Sequence, residues 1–484
     1  MGKTMWPPIS TSGIRKVGLS LLATTALAGC AAIPRLPPAA QLKAPAAYTD
    51  ADTFAAPATG WPADDWWSAY GDPQLSSLIE EALRGSPDLV SATARIRKAR
   101  ALAGEAAAAT LPSLTGGGVY ESLRQSYNDG VPAAFVPKGF NDSTRLSLDF
   151  NYEIDFFGKN RAPLAAATSE AKAAEADAAL ARIALSTNVA AAYADLAQDF
   201  ADHDAAENAV ETRRQSADLI EERFVNGLEN SGAAEQARSD LAAAQADLKA
   251  VDESLGLTRN RLAALLGAGP DRGLAIARPD IRALKAFGLP ADLRVDLIGR
   301  RADVVAARLR AEAAAHRIKQ AKAQFYPDIN LSAYIGQQSL GLDELLRSSS
   351  MIGAIGPAVR LPIFQGGQLR AGYRAAAADY DAAVANYDSA LTQALKDVAD
   401  AAVSARALDG RLADSLRALR ASRAAHDIAL QRYRGGLATY LEVLTAEDAL
   451  IGNERTVADL QARAFTLDVA LVRALGGGFR AGQA

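Results

Sequence analysis

Asp199, His203 and Glu207 stand at i, i+4 and i+8, the spacing that sets three metal-ligating side chains on one face of a helix. Charges on a long exposed helix need only water, however, and a solvated face accounts for the same trio. The rest of the chain offers little for chemistry: three histidines, one cysteine and no glycine-rich phosphate loop. Serine and carboxylate candidates for nucleophilic or acid–base work have no partner at recognisable spacing. The residues therefore read as those of a non-enzyme that uses no cofactor and no metal. A formal net charge of −4 over 484 residues leaves no nucleic-acid footprint.

The single cysteine, Cys30, cannot form an intramolecular disulfide. Lys3, Arg15 and Lys16 precede an apolar run from Val17 to Ala28, and Leu27-Ala28-Gly29-Cys30 closes it. That order is a secretory signal peptide, residues 1–29, whose apolar run is shorter than the roughly 20 residues of a spanning helix. Leu-Ala-Gly-Cys resembles a bacterial lipobox, in which Cys30 is acylated and becomes the N-terminus. Ala31 stands where lipoproteins held at the inner membrane often carry Asp, which implies the outer membrane. Residues 30–60 hold Pro34, Pro37, Pro38, Pro45 and Pro57 and read as an extended, lipid-anchored linker.

The elements that must position any functional surface belong to a duplicated unit. Arg223-Phe224-Val225-Asn226-Gly227 is echoed by Arg432-Tyr433-Arg434-Gly435-Gly436, and Leu265-Leu266-Gly267 by Ala474-Leu475-Gly476, both 209 residues on. Asp88-Leu89-Val90 pairs with Asp303-Val304-Val305, and Leu111-Pro112 with Tyr326-Pro327, both 215 residues on. The first repeat, 61–270, reads as a helix, a β-hairpin at about 112–154 and a long helical hairpin at about 158–266. A linker at 271–290 leads to the second, 291–478, with a β-hairpin at about 327–363, a helical hairpin at about 368–475 and a tail at 479–484.

The hairpins carry coiled-coil patterning. From Val384 through Leu391, Val398 and Leu408 to Leu419, eleven apolar positions advance by 3.5 residues on average. A heptad follows at Val457, Leu460, Ala464, Leu467, Leu471 and Ala474. A helix from about Gln368 to Arg434 would extend roughly 100 Å, and the segments 302–325 and 87–110 would supply the length that the shorter return helices lack. Leu146, Leu148, Phe150, Tyr152 and Ile154 alternate with polar residues, as do Ile329, Leu331, Ala333 and Ile335, so each forms a strand with one apolar face. Leu114 to Arg124 and Met351 to Ile363 alternate poorly and complete the two hairpins. Four strands cannot close a membrane barrel, which needs at least about eight, so membrane strands would require several protomers.

Trp66-Trp67, Asp72, Leu75, Leu78-Ile79, Leu289-Pro290-Ala291-Asp292-Leu293, Arg300-Arg301-Ala302-Asp303-Val304, Gln324 to Ile329, Pro362 to Gly367, Tyr433 to Leu444 and Leu475-Gly476-Gly477-Gly478 are the next observation. Together they resemble the TolC-like outer membrane factor family, in its NodT-type lipoprotein branch, from about Trp61 to Gly478. Ser86 and Ala302 depart from it, standing where relatives usually have Asn and Pro. The resemblance implies a mixed α/β membrane protein with an internal two-fold repeat. It implies a homotrimer with four transmembrane β-strands per protomer, forming a twelve-stranded barrel on an α-helical periplasmic barrel. The implied function is the exit duct of a tripartite export system, passively joining an inner-membrane pump of RND type and a periplasmic membrane-fusion adaptor to the exterior.

By the same resemblance, Gly227 and Gly436 mark the tips that meet the adaptor. Glu442 and Thr445 mark a periplasmic gate, with Thr445 where relatives often have Asp, and Arg432 and Arg434 offer the gate salt bridge. A lipid-anchored coiled-coil adaptor without a channel would explain the helices but leave the amphipathic strands idle. An envelope hydrolase would need a catalytic constellation.

Overall fold

The computed structural model describes residues 33–44, 47–48, 53–54, 56–280, 288–290 and 293–482; the signal peptide and Cys30 lie outside them. In chain order come β1 (Ala58–Thr59), a 3₁₀ turn (Trp66–Tyr70), α1 (Pro73–Gly85), α2 (Pro87–Ala108), β2 (Ser113–Leu123) and β3 (Asn141–Glu153). The first long hairpin is α3 (Arg161–Val225) with α4 (Ser231–Leu265), followed by the single turn α5 (Asp271–Leu274) and β4 (Leu289–Pro290). The second copy comprises α6 (Leu293–Arg300), α7 (Ala302–Ala323), β5 (Asp328–Leu340), β6 (Met351–Arg360), α8 (Gln368–Arg434) and α9 (Tyr440–Ala474). The duplication shows in the bounds: α7 begins and ends 215 residues after α2, and α9 begins and ends 209 after α4. The loop between the strands is seven residues longer in the first copy, where 17 residues join β2 to β3 against ten between β5 and β6.

The chain forms two compact units. The first gathers Arg97–Lys172, Arg308–Ala385 and the described part of Met1–Gln41. It holds one antiparallel sheet in the order β2-β3-β5-β6. Register places Leu148 opposite Gly116 and Ile335, and Ala333 opposite Ile355. Because facing residues share a side, Leu114, Leu146, Leu148, Ile335, Met351, Ile355 and Val359 form one apolar face, and all are exposed. The other face carries Arg145, Asp149, Asn151, Glu153, Asp328 and Arg360. The two poorly alternating strands, β2 and β6, are the two edges. Below the sheet ends, Lys159 bridges Glu153 at 3.2 Å and Asp328 at 2.7 Å.

The second unit comprises Leu42–Ile96, Ala173–Ala307 and Asn386–Ala484. Its α1 starts where sequence dictates: Asp72 accepts the backbone N–H of Gln74 at 2.8 Å and of Leu75 at 3.3 Å, with Pro73 in the first helical position. Leu75, Leu78 and Ile79 then pack with Trp66, Trp67, Tyr70 and Tyr193, while a second core gathers Leu289, Leu297, Tyr387, Leu391 and Leu471. The α9 heptad needs correction. Leu471 and Ala474 are buried in register, but Ala464 and Leu467 are only half-buried, and Phe465 and Val469 are buried instead. The helix serves two cores there, Leu471 and Ala474 in one and Phe465 and Val469 in the other, so one seam cannot describe it.

Both copies close their helices on a glycine. A Cβ on Gly267 would lie 2.7 Å from the Gly85 carbonyl oxygen, and one on Gly476 would lie 2.0 Å from that of Arg300. An extended strap also follows α8. Within the first unit the Ala40 N–H donates to Asp381 at 3.2 Å; within the second, the Lys43 N–H donates to Asp388 at 3.1 Å and Arg406 to the Thr53 carbonyl.

Candidate functional site at the hairpin tips

Both long helices end in the same closure. Gly227, at φ 72°, donates to Phe224 and Leu228 to Arg223; Gly436, at φ 71°, donates to Tyr433 and Leu437 to Arg432. This is the Schellman pattern, and glycine adopts its left-handed residue without a Cβ penalty. The turn separates the end of α8 at Arg434 from the start of the return helix α9 at Tyr440 by five residues, 435–439. Ile220, Ala234, Ala237, Tyr433, Tyr440 and Val443 pack beneath the tips. The Tyr433 hydroxyl donates to Glu229 at 2.9 Å, and the Arg223 guanidinium lies 4.7 Å from the Tyr433 ring centre. Burial and the Glu229 carboxylate push the Tyr433 phenol well above its ordinary range, so it stays a neutral donor.

Glu442 occupies the third position of α9 and closes a capping box with Thr439, accepting the Thr439 N–H at 3.2 Å. Arg432 lies 3.6 Å from its other oxygen, whereas Arg434 makes no ion pair among the described residues. Of the two arginines expected near Glu442, the fold therefore brings in one. Thr445 is exposed and its hydroxyl donates to the Leu441 carbonyl at 2.8 Å.

The spaced trio of the first long helix does not converge. Asp199 accepts Ser254 at 2.7 Å, while His203 lies 3.4 Å from Asp252 and 3.7 Å from Glu207. Among the described residues the donor atoms that cluster are those of His203, Asp204 and Glu207, and Arg278 already engages Asp204. Two constellations had no sequence expectation: a buried cluster around Glu447, and Arg301, which binds Asp303, Asp397 and the Ala474 carbonyl. The signal for the first was a glutamate within an apolar periodicity, Val443, Glu447, Leu450.

Amphipathic antiparallel strands continued into paired, capped helical hairpins define a channel of the TolC-like class. The family model described as outer membrane efflux protein matches residues 78–268 and 293–477, and the chain belongs to that family. It is an outer-membrane efflux channel and not an enzyme. It is 38% identical over 369 residues to the fusaric acid resistance protein FusA of Burkholderia cepacia, covering 75% of this chain and 69% of that one. It is 28% identical over 471 residues to the multidrug resistance outer membrane protein MdtP of Escherichia coli K12, covering 95% of each. Among solved structures, the outer membrane protein VceC of Vibrio cholerae shares 45% identity at a TM-score of 0.83, covering 87% of this chain and all of that one.

Proposed function

We propose that three copies join their sheets into one twelve-stranded barrel and serve as the exit duct of a tripartite efflux system. The observation that carries this is the sheet itself. Its apolar face is exposed along all four strands, and its edges β2 and β6 run antiparallel, so the β6 of one copy can continue into the β2 of the next. In lipid an open edge leaves backbone groups unsatisfied at several kcal/mol each, whereas closure removes the edge. Native mass spectrometry in detergent should give about three times the chain mass. A stable monomer with full β signal would overturn the shared barrel.

A periplasmic membrane-fusion adaptor is the proposed partner of the tips around Gly227 and Gly436, where Val225, Leu228, Leu437 and Leu441 are exposed apolar residues. An RND-type pump would feed the assembly. Relatives named for fusaric acid and multidrug resistance favour small toxic organic compounds as cargo.

Cys30 is proposed as the lipid anchor. Ten residues separate it from Ala40, a reach of up to about 35 Å. The stretch of α8 from Asp381 back to Gln368 is only about 20 Å, so a lipid on Cys30 can reach the level of the strands. Mass spectrometry of the mature N-terminus should find an acylated Cys30, and an unmodified thiol would remove the anchor from this reading.

Glu442 is proposed as the gate acid, repeated three times about the axis. Glu442→Ala should alter cation block and selectivity in planar bilayers while the trimer persists. It should also cost about 1 kcal/mol of local stability as half of a capping box. Unchanged block and selectivity would leave Glu442 only its capping role.

A further inference from the structure

Above the tips, four helices meet around a carboxylate that has no contact with water. Glu447 of α9 is fully buried, at 0% exposure. Arg213 of α3 donates to its Oε2 at 2.6 Å, and the buried Ser216 hydroxyl, one turn further along α3, donates to its Oε1. The remaining side of Oε1 faces His426 of α8, whose Nε2 lies 3.7 Å away, a charge-pair distance beyond hydrogen bonding. That Nε2 is itself buried and has no hydrogen-bond partner. The other groups around the imidazole are Asp427 of its own helix, 3.7 Å from Nδ1, and on α9 the exposed Asp448, which takes the second arm of Arg213. Tyr440 of α9 completes the site. Its buried hydroxyl is unpartnered, and burial, Glu447 and Asp240 of α4 push its phenol up to about 12, so it stays neutral.

One guanidinium serves two carboxylates, of which only one is buried. Arg213 is the one guanidinium bonded to the buried Glu447, and it is shared with the exposed Asp448. A proton on His426 brings a second cation to Glu447 and gives Nε2 a hydrogen to direct at Oε1.

We propose that Arg213, Ser216, His426 and Glu447 form a proton-tightened clasp, holding α8 and α9 of the second hairpin against α3 of the first. Arg213 and Ser216 tie α9 to the first copy whether or not His426 is charged, and His426 adds the tie from α8 only when protonated. Glu447 thereby acts as a positioning residue for opening at the tips, distinct from Glu442 on the exposed end of the same helix.

The sign follows from the environment. The Glu447 carboxylate favours the charged imidazole more than burial opposes it, so the proton is held above the ordinary histidine range. The clasp is therefore complete below about pH 6.5 and loosens as pH rises through the raised value.

The test uses the purified full-length protein in planar bilayers, together with hydrogen exchange over residues 440–450 corrected for intrinsic chemistry. Between about pH 6 and pH 8 the wild type should gain several-fold in the ratio of open to closed states as the His426 proton is lost. Exchange over 440–450 should quicken in parallel. His426→Gln should flatten both responses while leaving the assembly intact, and Glu447→Gln should open the channel at both pH values. Equal pH responses in wild type and His426→Gln would overturn the clasp, even if Glu447→Gln fails to fold. The clasp rests on the channel reading only for its conductance arm. A silent bilayer would count against the duct, while exchange over 440–450 that ignores pH would count against the clasp.

Discussion

Gly336→Ala is expected to yield no detergent-stable assembly. Gly336 faces Ser147 across the β3–β5 ladder, and a Cβ built on it would lie 2.1 Å from the Leu146 carbonyl oxygen and 2.9 Å from the Ser147 Cα. Both obstacles are backbone, so no side-chain rotation relieves them. The strands must part, and the ladder bonds lost would leave N–H and C=O groups facing lipid, at several kcal/mol each. Heat-modifiable migration on gels, native mass spectrometry and circular dichroism would read the loss. The matched control is Gly116→Ala on β2, whose new methyl would meet only the Leu148 side chain at 3.7 Å. If Gly336→Ala assembles as the control does, the close β3–β5 approach is not required.

The second large effect is expected at Arg301, 7% exposed and bound by Asp303 at 2.7 Å, by Asp397 at 3.1 Å and by the Ala474 carbonyl at 3.1 Å. It ties α7 to α8 and to the last turn of α9. Arg301→Ala would leave two part-buried carboxylates and a helix-end carbonyl without their cation, a loss of about 3–5 kcal/mol. The exposed pair of Arg278 with Asp204 is the contrast, since Arg278→Ala should cost less than about 1 kcal/mol. Thermal melts of both variants in one detergent would check the ranking, and equal melting temperatures would contradict it. Acid should weaken the same joint in the wild type. Burial alone would raise the Asp303 carboxyl, but the hydrogen-bonded Arg301 overcomes it and holds the group below the usual carboxylate range. The contribution of Asp303 is therefore present above its unfolded pKa and is lost as pH falls through the depressed folded value.

What was legible in the sequence follows from how local each cause is. The bounds of α8 and α7 could be read because alanine-rich runs without proline, stopped by Gly435-Gly436 after α8 and by Pro327 after α7, specify a helix wherever it lies. The strand β3 could be read because period two reports a single apolar face. The edge strands were harder. Gly116, Gly117 and Gly118 of β2 erase the alternation, and the apolar face to which Gly116 and Gly118 belong appears only when Leu148 and Leu146 are aligned beside them. Tertiary charge pairs left the weakest trace. Arg213 and Glu447 stand 234 residues apart, and nothing local distinguishes Arg213 from the exposed Arg214 beside it. At the tips, the sequence offered Arg432 and Arg434 equally to Glu442. The direction of the last helical turn chose Arg432.

The strap beside α8 carries a mechanical consequence. Its contacts advance together with the helix, Ala40 to Asp381, Lys43 to Asp388 and Thr53 to Arg406, so strap and helix run in the same direction. A pull on the N-terminus toward the start of α8 would load these bonds lengthwise and together, in shear, instead of peeling them one by one. Such a tether resists force through a slow unfolding rate more than through equilibrium stability. Force applied at the N-terminus would then not unravel the chain from its end.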